Sequence, residues 1–178
     1  MRHYSGVIVL VFCLSFLLAG FGLPATIQKK VHKEVSKTFE IEEFNLLAVS
    51  VPETLNLQLP VKIVQNKLFR IEDGGTLLGY AFVDRAPSKT AEFDYLVIFN
   101  ADLEIVHSKV LIYREEYGGE IGSKRWLRQF LGKNGNDRVS HETNIDGIAG
   151  ATISVRSMTN SMDNLLQTIG LLQENKVL

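Results

Sequence analysis

From Gly6 to Leu23 the chain runs for 18 residues without a charged side chain, and it does so next to its N-terminus. Such a run is at the short end of what crosses a bilayer, and it lacks the polar face that a buried amphipathic helix of this length would carry. It is read as an export element, either a signal peptide or a retained anchor, and residues 1–24 are assigned to it. Gly20 and Gly22 make a weak small-x-small pair for cleavage, and no cysteine follows Leu18-Ala19-Gly20 to make a lipoprotein site, so a retained anchor is favoured. Lys29, Lys30 and Lys33 behind the run outnumber Arg2 in front of it, so basic residues alone do not set its orientation. What remains of the 178 residues is enough for one compact domain and a short appendage.

Charge and cysteine content exclude several classes of function. Nineteen basic residues stand against 20 acidic ones, which gives no basic surface for nucleic acid. The single cysteine, Cys13, lies within the apolar run and leaves neither a disulfide framework nor a cysteine-ligated metal or haem site. His3, His32, His107 and His141 are scattered and make no metal-ligand spacing. The sequence has no nucleophile elbow, so a hydrolase or metalloenzyme finds little support.

Behind the apolar run, Ile27, Val31 and Val35 recur at helical spacing with Lys29, Lys30, Lys33 and Lys37 between them. This predicts a short amphipathic helix, and residues 25–60 are read as a stalk. Beyond Pro60 the pattern changes to short β-branched and aromatic runs bounded by turn residues, which predicts strands at 61–71, 77–84, 95–100 and 104–114. Asp73-Gly74-Gly75 and Asn100-Ala101-Asp102 are the turns between them. Ser123 is placed to cap a helical turn or two that ends near Gly132. Val155, Met158, Met162, Leu165, Leu166, Ile169 and Leu172 repeat at threes and fours and mark the clearest helix of the chain. The expected fold is α+β, an antiparallel sheet with helices packed on it, over residues 61–178.

The segment most suggestive of chemistry is Asp146-Gly147-Ile148-Ala149-Gly150-Ala151-Thr152-Ile153-Ser154, directly ahead of that helix. Small residues let a ligand approach the backbone, and the first amides of a helix offer free donors to an anion such as phosphate. The same residues also read as an ordinary turn in which Thr152 or Ser154 caps the helix.

Asp146-x-x-Ala149-Gly150-Ala151-Thr152, with Ser154 following, resembles the flavinylation motif of the FMN-binding domain family, which includes subunits of the sodium-translocating NADH:quinone oxidoreductase and of Rnf-type complexes. In that family the motif reads Asp-x-x-Ser/Thr-Gly-Ala-Thr, and a separate flavin transferase esterifies its last threonine to the FMN phosphate. Thr152 holds that position here, and Ala149 stands where the family has serine or threonine. The stretch from Tyr113 to Gly122 resembles the family's Glu-Thr-Pro-Gly-Leu-Gly loop, with Glu115 and Gly118 as equivalents, Gly119 beside them and Tyr117 in place of the proline. Gly79-Tyr80 sits on an earlier strand, in the order the family shows.

The resemblance implies FMN as cofactor, with Thr152, Ala151, Gly150, Asp146, Ser154, Glu115, Gly118 and Gly119 as its site. It implies a flavoprotein electron carrier on the extracytoplasmic, periplasmic side of a membrane. A flavin transferase and redox partner proteins would be its partners. Lys124, Arg125 and Arg156 are candidate cations for the phosphate, and Trp126, Tyr117 and Phe130 candidate walls for the isoalloxazine ring. The alternative is an anchored module that binds FMN noncovalently or has lost it.

Overall fold

In the computed structural model, residues 22–64 and 67–178 are described. The expected export segment 1–24 therefore lies, up to residue 21, outside the described residues. Among those described, no helix is long and apolar enough to cross a membrane.

The elements in chain order are α1 (Ala25–Phe39), β1 (Asn45–Ala48), α2 (Glu53–Asn56), β2 (Leu68–Asp73), β3 (Thr76–Pro87), β4 (Glu92–Asn100) and β5 (Ile105–Ile112). A 3-10 turn (Gly119–Gly122), the short α3 (Lys124–Leu127) with a further 3-10 turn, and the 23-residue α4 (Thr152–Glu174) complete it. The five strands form one antiparallel meander in sequence order. The fold is α+β, as expected.

Strand periodicity explains why the sheet is covered on both sides. Tyr80, Phe82, Tyr95, Val97 and Phe99 point to one face, where they pack with Trp126, Phe130 and the apolar stripe of α4. Ala81, Val83, Leu96 and Ile98 alternate with them and point to the other face, where Ile27, Val31 and Val35 of α1 cover them. Every residue of β4 from Phe93 to Phe99 is buried, which is why Tyr95 to Phe99 reads as a continuous apolar run rather than an alternating one, while the buried Asp94 is paired with Arg85 and Arg114.

The segment 25–60, read from sequence as a stalk, thus contributes a helix whose apolar face is turned onto the sheet. Glu34 Oε2 lies 3.0 Å from His107 Nε2 on β5, and Lys30 Nζ donates to the Leu111 carbonyl, so α1 is also fixed by polar contacts. Burial pushes the His107 imidazole below its ordinary pKa, partly opposed by Glu34.

Two strand expectations are corrected. The strand expected over 61–71 begins at Leu68. Ahead of it, the Val61 amide donates to Thr168 Oγ1 at 3.0 Å and Ile63 exchanges bonds with the Asn56 side chain at 2.8 and 2.9 Å, so these backbone groups are taken by side chains instead of a ladder. β1, which pairs Asn45–Ala48 with Glu72–Phe69, has no counterpart among the expected strands, because four mostly exposed residues carry too little period-2 signal.

Close backbone approach demands glycine at two places. A Cβ on Gly79 would lie 2.0 Å from the Phe99 carbonyl oxygen across the β3–β4 pair, and one on Gly135 would lie 2.5 Å from Cα of Gly170. The second contact seats the loop after Gly132 directly on α4.

Candidate functional site

α4 begins without a side-chain cap. Its N-cap is Ala151, and Gly150 before it takes φ 82°, a left-handed turn that brings the chain from the loop into the helix. Neither Thr152 nor Ser154 caps the helix, so the capping role that the turn reading gave them is not seen. Thr152 is the first helical residue and is exposed, and among the described residues its hydroxyl has no hydrogen-bond partner. The backbone amides of Thr152, Ile153 and Ser154 have no acceptor among the described residues, whereas Val155 already donates to the Ala151 carbonyl at 2.9 Å.

Ser154 does something different. Its hydroxyl is buried and lies 2.9 Å from Tyr113 Oη, which in turn donates to the Tyr117 carbonyl at 2.8 Å. The only proton on the phenol being used, Ser154 is the donor of the first bond. This chain ties the first turn of α4 to the loop after β5. Gly118 makes it possible: its φ is 88°, and a Cβ there would lie 2.5 Å from Tyr113 Oη. Gly119 opens the 3-10 turn and lies against the Tyr113 ring.

Glu115 faces the β3–β4 turn. Its Oε1 accepts from Ser88 Oγ at 2.7 Å, the Thr90 amide at 2.6 Å, Thr90 Oγ1 at 3.1 Å and the Ala91 amide at 2.9 Å. The Ser88 hydroxyl and then the turn amides hold its carboxyl down to about 2, since they bond the ionised form.

These three pieces enclose an open cleft of about 640 Å³, lined by Lys89 and Thr90 of the turn, Glu115, Tyr117 and Gly118 of the loop, and Gly150 to Ser154. That is a size typical of cofactor sites and sufficient for a mononucleotide. Free amides and a free hydroxyl at a helix N-terminus suit a phosphate, and the exposed Tyr117 (78%) and Ile153 (49%) offer apolar surface to a flat ring. The residues present fit FMN.

Asp146 is held at its backbone: Trp126 Nε1 donates to its carbonyl and its amide donates to Gln129 Oε1, each at 2.8 Å. Of the aromatic residues expected to wall the ring, only Tyr117 lines the main cleft. Trp126 and Phe130 are 5% and 0% exposed and pack edge to face in the core, as bulky aromatics beneath a helix and sheet do. The expected cations are dispersed. Arg125 lines a second cleft with Asp146, Arg156 a third with Thr152 and Ala149, and Lys124 a groove beside β5.

Sequence reading missed Lys89 and Thr90, and gave Tyr113 no role beyond opening the loop. Only the fold brings the β3–β4 turn beside α4, and a lone lysine in a turn carries no motif.

Residues 90–167 match the family model described as the FMN-binding domain. This segment belongs to the FMN-binding domain family, as its resemblance implied, and FMN is the cofactor. The match takes in β4, β5, the Glu115–Gly118 loop and Thr152, and stops short of β1–β3. No curated protein matches the chain.

Proposed function

We propose that this protein is a membrane-attached, extracytoplasmic electron carrier whose FMN is joined by a phosphoester to Thr152 Oγ1. The observation that carries this reading is the exposed, unpartnered Thr152 hydroxyl, set at the start of a 23-residue helix and opening on the main cleft. A hydroxyl spent on capping would be unavailable for esterification; this one is not spent. The diester keeps about one negative charge, which the helix N-terminus stabilises by about 0.3–1 kcal/mol. When bound, the flavin supplies one- and two-electron chemistry, and a tether prevents its loss to solvent. The protein's own part is to hold the phosphate at the amides of residues 152–154 and to offer Tyr117 and Ile153 to the ring.

A flavin transferase attaches the FMN, and redox proteins on either side deliver and remove electrons. The uncharged run at residues 6–23 supports attachment to the membrane and export of the domain. One residue favours a second reading, in which FMN is bound noncovalently: Ala149, which lines a cleft together with Thr152, stands where the resembled motif has a hydroxyl. The two are separated by denaturing the protein after co-expression with a flavin transferase. Flavin fluorescence that stays with the denatured band supports the ester, and its complete release supports the alternative.

A further inference from the structure

The charged residues of the main cleft are not equivalent. Arg114 is committed to the Glu92 carbonyl and to Asp94, Glu115 is committed to the β3–β4 turn, and the exposed Glu116 adds a negative charge to the same cleft, which leaves Lys89 as its one uncommitted cation among the described residues. Lys89 lines the same cleft, is exposed, and among the described residues makes no hydrogen bond or ion pair. It is also well placed to act, because the turn that carries it is rigid: the bonds from Ser88, Thr90 and Ala91 to Glu115 flank it on both sides. Ser88 adds a second bond of its own to the Ala91 carbonyl at 2.9 Å. The fixed turn leaves only the rotamers of the lysine side chain to be ordered, and its four-carbon stem gives the ammonium reach into the cleft.

We infer that Lys89 sets the redox potential of the flavin, by placing its ammonium beside the ring rather than beside the phosphate. The phosphate already has its donors in the free amides at the N-terminus of α4, on another wall of the cleft. Lys89, on the β3–β4 turn that lines the same cleft, is left for the remainder of the cofactor. When the ring takes up two electrons and one proton from a reductant, it gains one negative charge at its pyrimidine edge. A cation nearby stabilises that charge and not the neutral oxidised ring, so it raises the midpoint potential.

The inference rests on FMN occupying this cleft, and the experiment separates the two. The full-length, FMN-loaded protein is titrated with dithionite against reference dyes, for the unaltered chain, Lys89→Gln and Lys89→Arg. Potential is read per bound flavin, so incomplete loading does not affect it. Lys89→Gln should lower the equilibrium constant for reduction at least tenfold, a fall in midpoint potential of about 30 mV for a two-electron couple. Lys89→Arg should restore most of that loss, and raising the salt concentration should shrink the difference between the unaltered chain and Lys89→Gln.

An unchanged potential in Lys89→Gln overturns the inference. So does an unchanged potential accompanied by weaker FMN binding in a Thr152→Ala background, which would put Lys89 on the phosphate. Ile153→Trp, which fills the cleft from α4, reports on the cleft itself. If Ile153→Trp leaves flavin content and absorption untouched, the cleft assignment fails, and the Lys89 inference fails with it; if it alters them while Lys89→Gln does nothing, only the inference fails.

Discussion

The hydroxyl of Tyr113 joins the Glu115–Gly118 loop to α4, with Tyr117 accepting its proton and Ser154 donating to its oxygen. Tyr113→Phe leaves the buried Ser154 hydroxyl and the Tyr117 carbonyl short of a partner and should cost about 1–3 kcal/mol, read as a fall in melting temperature. Gly118→Ala should cost more, since it adds a left-handed strain to a Cβ set 2.5 Å from that same oxygen. In the Tyr113→Phe background the 2.5 Å clash is gone while the positive φ and a 3.2 Å contact with Ser154 Oγ remain, so the cost of Gly118→Ala should fall in part; a double-mutant cycle with purely additive losses would count against the contact. Glu115 gives a pH test. Its carboxyl is lowered from 4.5 to about 2 by folding, so its contribution is fully present above about 4.5 and is lost as the pH falls through 2. Glu115→Gln should therefore lower the melting temperature at pH 7, and the gap to the unaltered chain should narrow from pH 4.5 towards 3. At this scale the sequence was most informative where residues form a contiguous motif. Gly150 to Thr152 could be picked out ahead of a strong helix, but Tyr113 and Lys89 act through partners 41 residues away or through a shared cleft, which no local pattern records.

α4 was the most legible element because its stripe from Val155 to Leu172 is buried on one side of a long regular helix, and period 3.6 survives over many turns. The strands were legible as elements and less so at their ends, since β3 and β4 continue to Pro87 and Glu92, exposed positions with no apolar signal. α1 was legible as an amphipathic helix; that its apolar face meets the sheet depends on β4 being apolar on both faces, a tertiary fact. The loop that leads to the Asp146–Thr152 segment is fastened to α4 by Asp163, which accepts from Arg138 Nε at 2.8 Å and Nη2 at 2.7 Å and from the Val139 amide at 3.0 Å. The hydrogen bonds from Arg138, together with the Val139 amide, hold the Asp163 carboxyl below its usual range. Asp163→Ala should destabilise the fold by about 1–3 kcal/mol, measured by denaturant unfolding, with much of the loss coming from the Val139 amide, because Arg138 itself is mostly exposed.

For the whole molecule, the covering of both sheet faces has a direct consequence. A chain beginning at residue 61 lacks α1 and β1, and so uncovers Ile71, Ala81, Val83, Leu96 and Ile98 on one face. It should aggregate or lose cooperative unfolding, whereas a chain beginning at residue 22 should be monodisperse by size exclusion and unfold in one transition; burial of Ile27, Val31 and Val35 is worth about 1.5–3 kcal/mol each. The full-length protein should remain with membranes after a carbonate wash if residues 6–23 are a retained anchor, and appear in the soluble fraction with a new N-terminus if they are cleaved. The central claim concerns where this molecule keeps its flavin. Protease digestion and peptide mass measurement of the full-length protein, co-expressed with a flavin transferase, test it most directly. The account predicts FMN, as an ester lacking one water, on the peptide that contains Thr152, and its absence from the Thr152→Ala protein. An unmodified Thr152 peptide in a protein that nonetheless retains flavin after denaturation, or an FMN-bearing peptide in Thr152→Ala, would contradict it.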